Sequence, residues 1–194
     1  AILGVQAEEI HVCMSPAAEE VVSHLISLCG DNCEVHRYER KTRLLCEEEA
    51  FSFPEDVREG DALIVFTKRM VLDIAGRLER QGIRVSVIYG SLPPEIRRRQ
   101  IRFFAEGKTR IVVSTDAIGM GLNLPVRRIV FVQTDKFDGK RVRPLKTAEI
   151  LQIAGRAGRF GIYDTGYVTA VGREGLDFIR QHFYEEEPKV DHVS

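Results

Sequence analysis

Apolar positions along this chain follow two alternating rhythms, short unbroken runs and stretches with the 3.6-residue spacing of a helix. Ile10 to Met14 is the first run and predicts a strand. Ser15 can cap the following helix, with Pro16 at its first position. Ala18, Val21, Val22, Leu25 and Cys29 then recur at helical spacing. Gly30-Asp31-Asn32 stops that helix, and residues 34–38 alternate as a strand does. Residues 39–61 lose the rhythm in charge runs and one proline, and read as a linker with a short helix. Ala62-Leu63-Ile64-Val65-Phe66 resumes it as a run typical of a strand buried on both faces. Val71, Ile74, Ala75 and Leu78 give the next helix its apolar stripe, and Gly82 ends it. Strands follow at residues 85–89, 111–114, 129–133 and 167–171, with helices at 94–106 and 174–184. Asp138-Gly139 reads as a two-residue hairpin turn. Strands separated by helices of this length predict an α/β fold, a parallel sheet sandwiched in three layers with right-handed crossovers.

Composition narrows the function without naming it. The chain has 194 residues, enough for one domain plus a remnant or one enlarged domain. A formal net charge of −1 excludes a wholesale polycation, so any nucleic-acid contact must be a local patch. No apolar run reaches membrane-spanning length and no signal-peptide pattern opens the chain, so no membrane partner is expected. The first residue is Ala1 rather than Met, which leads us to expect a fragment. Cys13, Cys29, Cys33 and Cys46 crowd the first quarter, but their irregular spacing favours thiols packed as small hydrophobes over a zinc site or a disulfide. The histidines show no ligand spacing, so no metal site is expected.

The segment Gln152-Ile153-Ala154-Gly155-Arg156-Ala157-Gly158-Arg159 carries the sharpest chemistry. Read as a helix, it puts two arginines on one face, with glycines clearing access to them. Paired guanidinium forks suit a triphosphate, although two solvated surface arginines would give the same pattern. Ligands of a parallel sheet bind at the carboxyl ends of its strands. That rule gathers the loops starting at Thr67, Gly90, Thr115 and Gln133 on one edge. Thr67, Lys68, Gly90, Ser91, Thr115 and Asp116 there offer hydroxyls, a cation and bare amides to a sugar-phosphate backbone, and each alone is equally an ordinary helix cap. Arg97, Arg98, Arg99 and Arg102 read as a solvated outer face, with Ile96, Phe103 and Phe104 turned to the core.

The 152–159 segment and the stretch Ser114-Thr115-Asp116-Ala117-Ile118-Gly119-Met120-Gly121-Leu122-Asn123-Leu124-Pro125 together resemble motifs VI and V of superfamily-two helicases. The wording is nearest to the mitochondrial degradosome RNA helicase family, with the Ski-type helicases next. The resemblance continues through Tyr89-Gly90-Ser91-Leu92-Pro93-Pro94, Phe66-Thr67-Lys68 and Ala7 to Cys13, and covers nearly the whole chain. It implies a RecA-like helicase C-terminal domain that lacks the P-loop. Arg156 and Arg159 would reach ATP bound with Mg2+ on the other motor domain, and Gln152 would help place the attacking water. Gly121 and Asn123 would lie near the nucleotide, while Thr67, Lys68, Gly90, Ser91, Thr115 and Asp116 would face single-stranded RNA. Ile153, where many relatives have arginine, matches the degradosome and Ski-type groups; Met120 departs from the DEAD-box group.

The resemblance also divides the chain. Residues 1–45 would be the end of the first RecA-like domain, 46–61 a linker, 62–184 the second RecA-like domain and 185–194 a tail toward an accessory region. No G-x-x-x-x-G-K-[ST] occurs in the sequence, so the piece alone is expected to be inactive and to bind no nucleotide by itself. The implied partners are the first domain of the same protein, RNA and an RNA-degrading nuclease; the implied location is the cytoplasm of a bacterium or the mitochondrial matrix. A DNA helicase domain and a truncated, non-hydrolysing binding module remain open, because phosphate contacts do not separate RNA from DNA. An apolar helix stripe and an unpaired strand at residues 10–14 would further favour self-association through residues 1–45.

Overall fold

The computed structural model describes Gly4, residues 7–119 and residues 123–185. The chain divides into two compact units, one formed by residues 1–39 with 186–194 and the other by residues 40–185.

Within the first unit the described residues hold a 3-10 turn, Pro16–Ala18, and helix α1, Glu19–Leu28. Pro16 starts the turn, as its fixed φ and missing N–H allow. Val22 is buried, whereas Cys13 and Cys29, expected to be packed, are exposed. Neither residues 10–14 nor residues 34–38 form a strand. A strand needs a neighbour for its backbone groups, and the described part of this unit contains none. The unpaired edge on which self-association was expected is therefore absent.

The second unit contains β1 (Arg43–Cys46), β2 (Asp61–Ile64), α2 (Lys68–Arg80), β3 (Val85–Ile88), α3 (Pro94–Ala105), β4 (Ile111–Ser114), β5 (Arg128–Phe131), β6 (Asp135–Phe137), β7 (Val142–Pro144), α4 (Thr147–Ala154), β8 (Thr165–Ala170) and α5 (Arg173–Phe183). Six strands form one sheet in the order β1-β8-β5-β2-β4-β3, every pair parallel. Alternate residues of the central strands enter two separate cores. Ala62, Ile64, Val112, Ile129 and Phe131 pack with Ile118, Ile150, Ile153, Leu176 and Ile179 on one face. Leu63, Val65, Val113 and Val130 pack with Val71, Ile74, Ala75 and Leu78 of α2 on the other. Burial on both faces explains the unbroken apolar runs, and the expected three-layer arrangement is the one observed.

The stretch from 40 to 61 differs from the expectation. It is neither remnant nor linker but part of the second unit. β1 pairs with β8 in register, Arg43 opposite Thr165 and Cys46 opposite Val168. Phe51 bridges Val171 and is 3% exposed. The short run Leu44-Leu45-Cys46 is hidden in the sequence by the charges around it. An edge strand needs only one paired side, so four residues suffice.

One ion-pair cluster locks this stretch down. Asp61 and Arg128 stand opposite each other on β2 and β5. Arg128 donates to both carboxylate oxygens of Asp61, at 2.9 and 2.7 Å. It also donates to Glu47 at 3.3 Å and to the Asp56 carbonyl at 2.8 Å, and lies 5.0 Å from the centre of the Phe51 ring. Burial opposes its charge, but the Asp61 and Glu47 carboxylates outweigh burial and raise its pKa.

The hairpin also shifts by one residue. Phe137 pairs with Val142, and Asp138 N–H donates to the Arg141 carbonyl at 3.1 Å. The turn is therefore Gly139-Lys140, not Asp138-Gly139. Gly139 takes the positive φ of 98°, and the Asp138 carboxylate accepts from the Lys140 and Arg141 amides. Asp138 thus flanks the turn and caps it.

Removing Asp61 should leave Arg128, 9% exposed in its side chain, as an uncompensated buried charge. Asp61→Ala is expected to lower unfolding free energy by about 3–5 kcal/mol, read from the urea midpoint. A loss under about 1 kcal/mol, the scale of a surface pair, would mean that the cluster does not hold the 40–61 stretch.

Candidate nucleotide and nucleic-acid interface

Because all six strands run the same way, the segments that leave β2, β3, β4 and β5 emerge on a single edge. Thr67 N-caps α2, its hydroxyl accepting from the Met70 amide at 3.2 Å. Lys68 follows, exposed, with its ammonium 5.3 Å from the centre of the Tyr89 ring at the end of β3. Gly90 and Ser91 are exposed beside it. These four expected positions are all exposed on one edge, although the Thr67 hydroxyl already caps α2.

Thr115 and Asp116 sit on the same edge but are engaged. Thr115 is 8% exposed, and its hydroxyl accepts from the Ala117 amide at 3.3 Å. Asp116 pairs with Lys136 at 2.8 Å. The Thr115 hydroxyl and one Asp116 carboxylate oxygen are thus already bonded within the chain.

The arginine segment departs from the sequence reading in its local structure. Helix α4 ends at Ala154, and Gly155 is its C-cap. Arg156 and Arg159 therefore lie on the loop that follows, not on one face of a helix. The glycines have a different purpose from clearing access. Gly158 has φ +76°, and a Cβ there would lie 2.8 Å from the Gly166 amide nitrogen. A Cβ on Gly166 would lie 2.4 Å from the Ala157 carbonyl carbon and oxygen. The loop is laid backbone against backbone on β8, a contact only two glycines permit. Ala157 bridges Val126, and the Gly158 amide donates to the Val126 carbonyl at 2.8 Å.

Seated there, the loop meets the segment after β4. Arg156 donates to the Gly119 carbonyl, and Arg159 donates to the Asn123 carbonyl at 3.4 Å. Gln152 is exposed on the last turn of α4, its Cγ 3.4 Å from where a Cβ of Gly119 would be. Asn123 is exposed as well. Gly121, with Met120, lies outside the described residues. Gln152 and Arg156 thus meet at Gly119, and Arg159 reaches Asn123. Each guanidinium has five donors, and among the described residues one of them is engaged by a carbonyl.

Several participants were missed by the sequence reading. Arg97 is not on a solvated face. It donates to the Gly90 carbonyl at 2.7 Å and the Leu92 carbonyl at 3.4 Å, and so holds the loop after β3. Lys136 links the hairpin to two other elements, reaching Asp116 at 2.8 Å and Glu149 of α4 at 2.9 Å. Burial opposes its charge, but these hydrogen bonds prevail and raise its pKa. Arg143 donates to both oxygens of Glu149, at 2.8 and 2.9 Å. That bond above all, with help from the Lys146 amide and Lys136 and against the effect of burial, holds the Glu149 carboxyl down to about 2. No spacing in the sequence announces these pairs. Gly166 did carry a signal, since glycine within a strand marks a close backbone approach.

A parallel sheet covered on both faces, with ligand-directed loops at one edge, defines a RecA-like α/β domain. The model for the helicase conserved C-terminal domain matches residues 40–161, and the chain belongs to that family. The model for the DEXQ-box helicase domain of Suv3 matches residues 1–38. The chain is similar to the mitochondrial ATP-dependent RNA helicase SUV3 of Candida albicans, with 40% identity across 93% of this chain and 26% of that protein. It is 39% identical to the mitochondrial ATP-dependent RNA helicase SUPV3L1 of Homo sapiens, across 93% of this chain and 24% of that protein. The chain thus spans about a quarter of the length of these curated relatives. Among solved structures it resembles the C-terminal domain of the DEAD-box protein Dbp5, with a TM-score of 0.52 and 22% identity over 77% of this chain and 88% of that one. It also resembles Saccharomyces cerevisiae Dbp5 bound to RNA and ADP BeF3, with a TM-score of 0.57 and 19% identity over 89% of this chain and 48% of that one. Those two likenesses are of fold.

The backbone contact at Gly166 generates a prediction. Gly166→Ala should cost about 1–3 kcal/mol, as overpacking does, and should lift the arginine loop. Gly90→Ala, with nothing within 4 Å of the new Cβ, should stay within about 0.5 kcal/mol of the parent. Thermal melts of the two variants check this; equal melting temperatures would contradict the close approach.

Proposed function

We propose that residues 40–185 are the second motor domain of an ATP-dependent RNA helicase of the SUV3 kind. Residues 1–39 are then the end of its first RecA-like domain. The observation that carries the reading is the tethering of Arg156 to the Gly119 carbonyl and of Arg159 to the Asn123 carbonyl. That arrangement presents two guanidiniums and Gln152 from one surface.

The fit to a triphosphate rests on those donors. Two arginines with unused N–H groups suit the charge that develops on a transferring phosphoryl group. Magnesium needs oxygen ligands, usually one or two carboxylates with the phosphates. The sequence contains no G-x-x-x-x-G-K-[ST], and we assign the phosphate cradle with its Mg2+ ligands to the preceding domain. When bound there, ATP supplies the phosphoryl group whose hydrolysis drives movement. Arg156 and Arg159 neutralise the growing charge, Gln152 orients the attacking water, and Asn123 with Gly121 lines the nucleotide side.

Thr67, Lys68, Gly90 and Ser91 grip the sugar-phosphate backbone of single-stranded RNA, with Thr115 and Asp116 behind them. The mitochondrial RNA helicase relatives support a mitochondrial setting, and the degradosome resemblance adds action beside an RNA-degrading nuclease. The alternatives are DNA as the strand held and a binding module without hydrolysis.

In the full helicase, Arg159→Ala should lower ATP turnover by about 10³-fold or more with little change in nucleotide affinity. The isolated chain should show no ATPase activity. Near-parental turnover by the variant would remove the finger role, and RNA-stimulated hydrolysis by the isolated chain would refute the two-domain account.

Lys68→Ala should weaken RNA binding by a similar factor for unrelated sequences and reduce the salt dependence by about one phosphate contact. Titrations of two unrelated oligonucleotides over a salt series test this. A loss confined to one sequence would mean that Lys68 reads bases.

A further inference from the structure

The loop that carries Arg156 and Arg159 is held from outside by a residue that neither the sequence motifs nor the family match singles out. Arg40 is the first residue of the second unit. Its Nε donates to the Thr42 carbonyl at 2.9 Å. One of its terminal nitrogens donates to the Gly155 carbonyl at 2.8 Å, and the other donates to the Ala157 carbonyl. These last two carbonyls flank Arg156. Burial of the guanidinium lowers the pKa of Arg40 from its ordinary value, and an arginine remains charged under such a shift.

We propose that Arg40 is a positioning residue for the arginine loop, fixing the two peptide planes on either side of Arg156 and thereby the aim of Arg156 and Arg159. Three observations carry this. First, the amides of residues 156–158 are engaged elsewhere, and the carbonyls are what Arg40 takes: Arg156 and Ala157 donate back to Ile153 and Ala154, and Gly158 donates to Val126. The Gly155 and Ala157 carbonyls lie just past the end of α4, where carbonyls lack intrahelical partners and a cation is favoured. Second, the anchor is itself fixed. Thr42 is buried, and the next residue, Arg43, begins β1, its amide donating to the Asp164 carbonyl at 3.0 Å. The fork therefore ties the loop to both β1 and the start of β8. Third, three acceptors in a planar spread demand a guanidinium, since a lysine ammonium is a compact point charge. Arg40 has no place in the sheet register or in either apolar core, so its contacts serve the loop.

The inference rests on the reading of Arg156 and Arg159 as the residues that act on ATP, and its test separates the two. ATP turnover of the full helicase is compared for the parent, Arg40→Ala, Arg40→Lys, Arg159→Ala, the double variant Arg156→Ala with Arg159→Ala, and that double variant with Arg40→Ala added. A catalytic group displaced by about 1 Å costs about 100-fold. Arg40→Ala should therefore lower kcat by about 10–100-fold, with little change in KM, and Arg40→Lys should fall between it and the parent. In the background that lacks both Arg156 and Arg159, Arg40→Ala should add less than about a threefold loss, because both groups that it aims are gone. Amide exchange should speed up at residues 155–159 and stay unchanged in β2 and β4. A near-parental Arg159→Ala enzyme would defeat the proposed function, whatever Arg40 does. A slow Arg159→Ala enzyme combined with parental turnover in Arg40→Ala, or with the same fold loss from Arg40→Ala in both backgrounds, would overturn the positioning role alone. If Arg40→Ala does not fold, Arg40→Lys replaces it in the same two backgrounds with the same outcomes.

Discussion

Everything chemical in this domain depends on one close approach, the main chain at Ala157 and Gly158 lying on the main chain of Gly166. A loop supported by side chains would stand several ångströms above the sheet. Two glycines remove that spacing, so the loop takes its position from the backbone of β8, the strand flanked by β1 and β5. The peptide bridge to Val126 then fixes the loop sideways. Arg156 and Arg159 inherit the precision of the sheet although they belong to no regular element. Protein cores are bistable rather than soft, and a side chain on such a support has few places to go.

Parallel strand order does the remaining gathering. Segments distant in sequence, after β2, β3, β4 and β5, leave the sheet on one side because each strand is entered from the other. Charged side chains then brace the loops against one another. Arg97 holds the carbonyls after β3, and Lys136 reaches Asp116 from the hairpin. Glu149 is the meeting point of the hairpin and α4, and two cations share it. The edge is thus a set of mutually tethered loops, which keeps their donors in register with one another.

The other end of the sheet is closed by the opposite strategy. Asp61 and Arg128 are buried at the start of β2 and β5, paired in a bidentate geometry that compensates their desolvation. Arg128 also collects Glu47 and the Asp56 carbonyl, which makes the 40–61 stretch a structural wall of the domain. β1 and the Arg40 fork both rely on that wall staying in place.

The sequence by itself determined the class of fold and most elements, because burial on both faces leaves unbroken apolar runs and helices leave 3.6-residue stripes. Ala62 to Phe66, the α2 stripe and the run Ile111 to Ser114 are read without ambiguity for that reason. It also marked the gathered edge, since strand polarity follows from alternating elements, and it singled out Gln152, Arg156 and Arg159. What it left to tertiary structure were features decided by partners far along the chain. β1 has too few residues to show a period and exists because β8 is beside it. Residues 10–14 have the composition of a strand and are not one, since composition does not supply the neighbour that a strand's backbone groups need. The end of α4 at Ala154 was hidden because glycines that permit a close approach look the same as glycines that clear a helix face. Arg40, Arg97 and Lys136 carry no local signal, since a cation's acceptors are chosen by where the folded backbone brings its carbonyls and carboxylates.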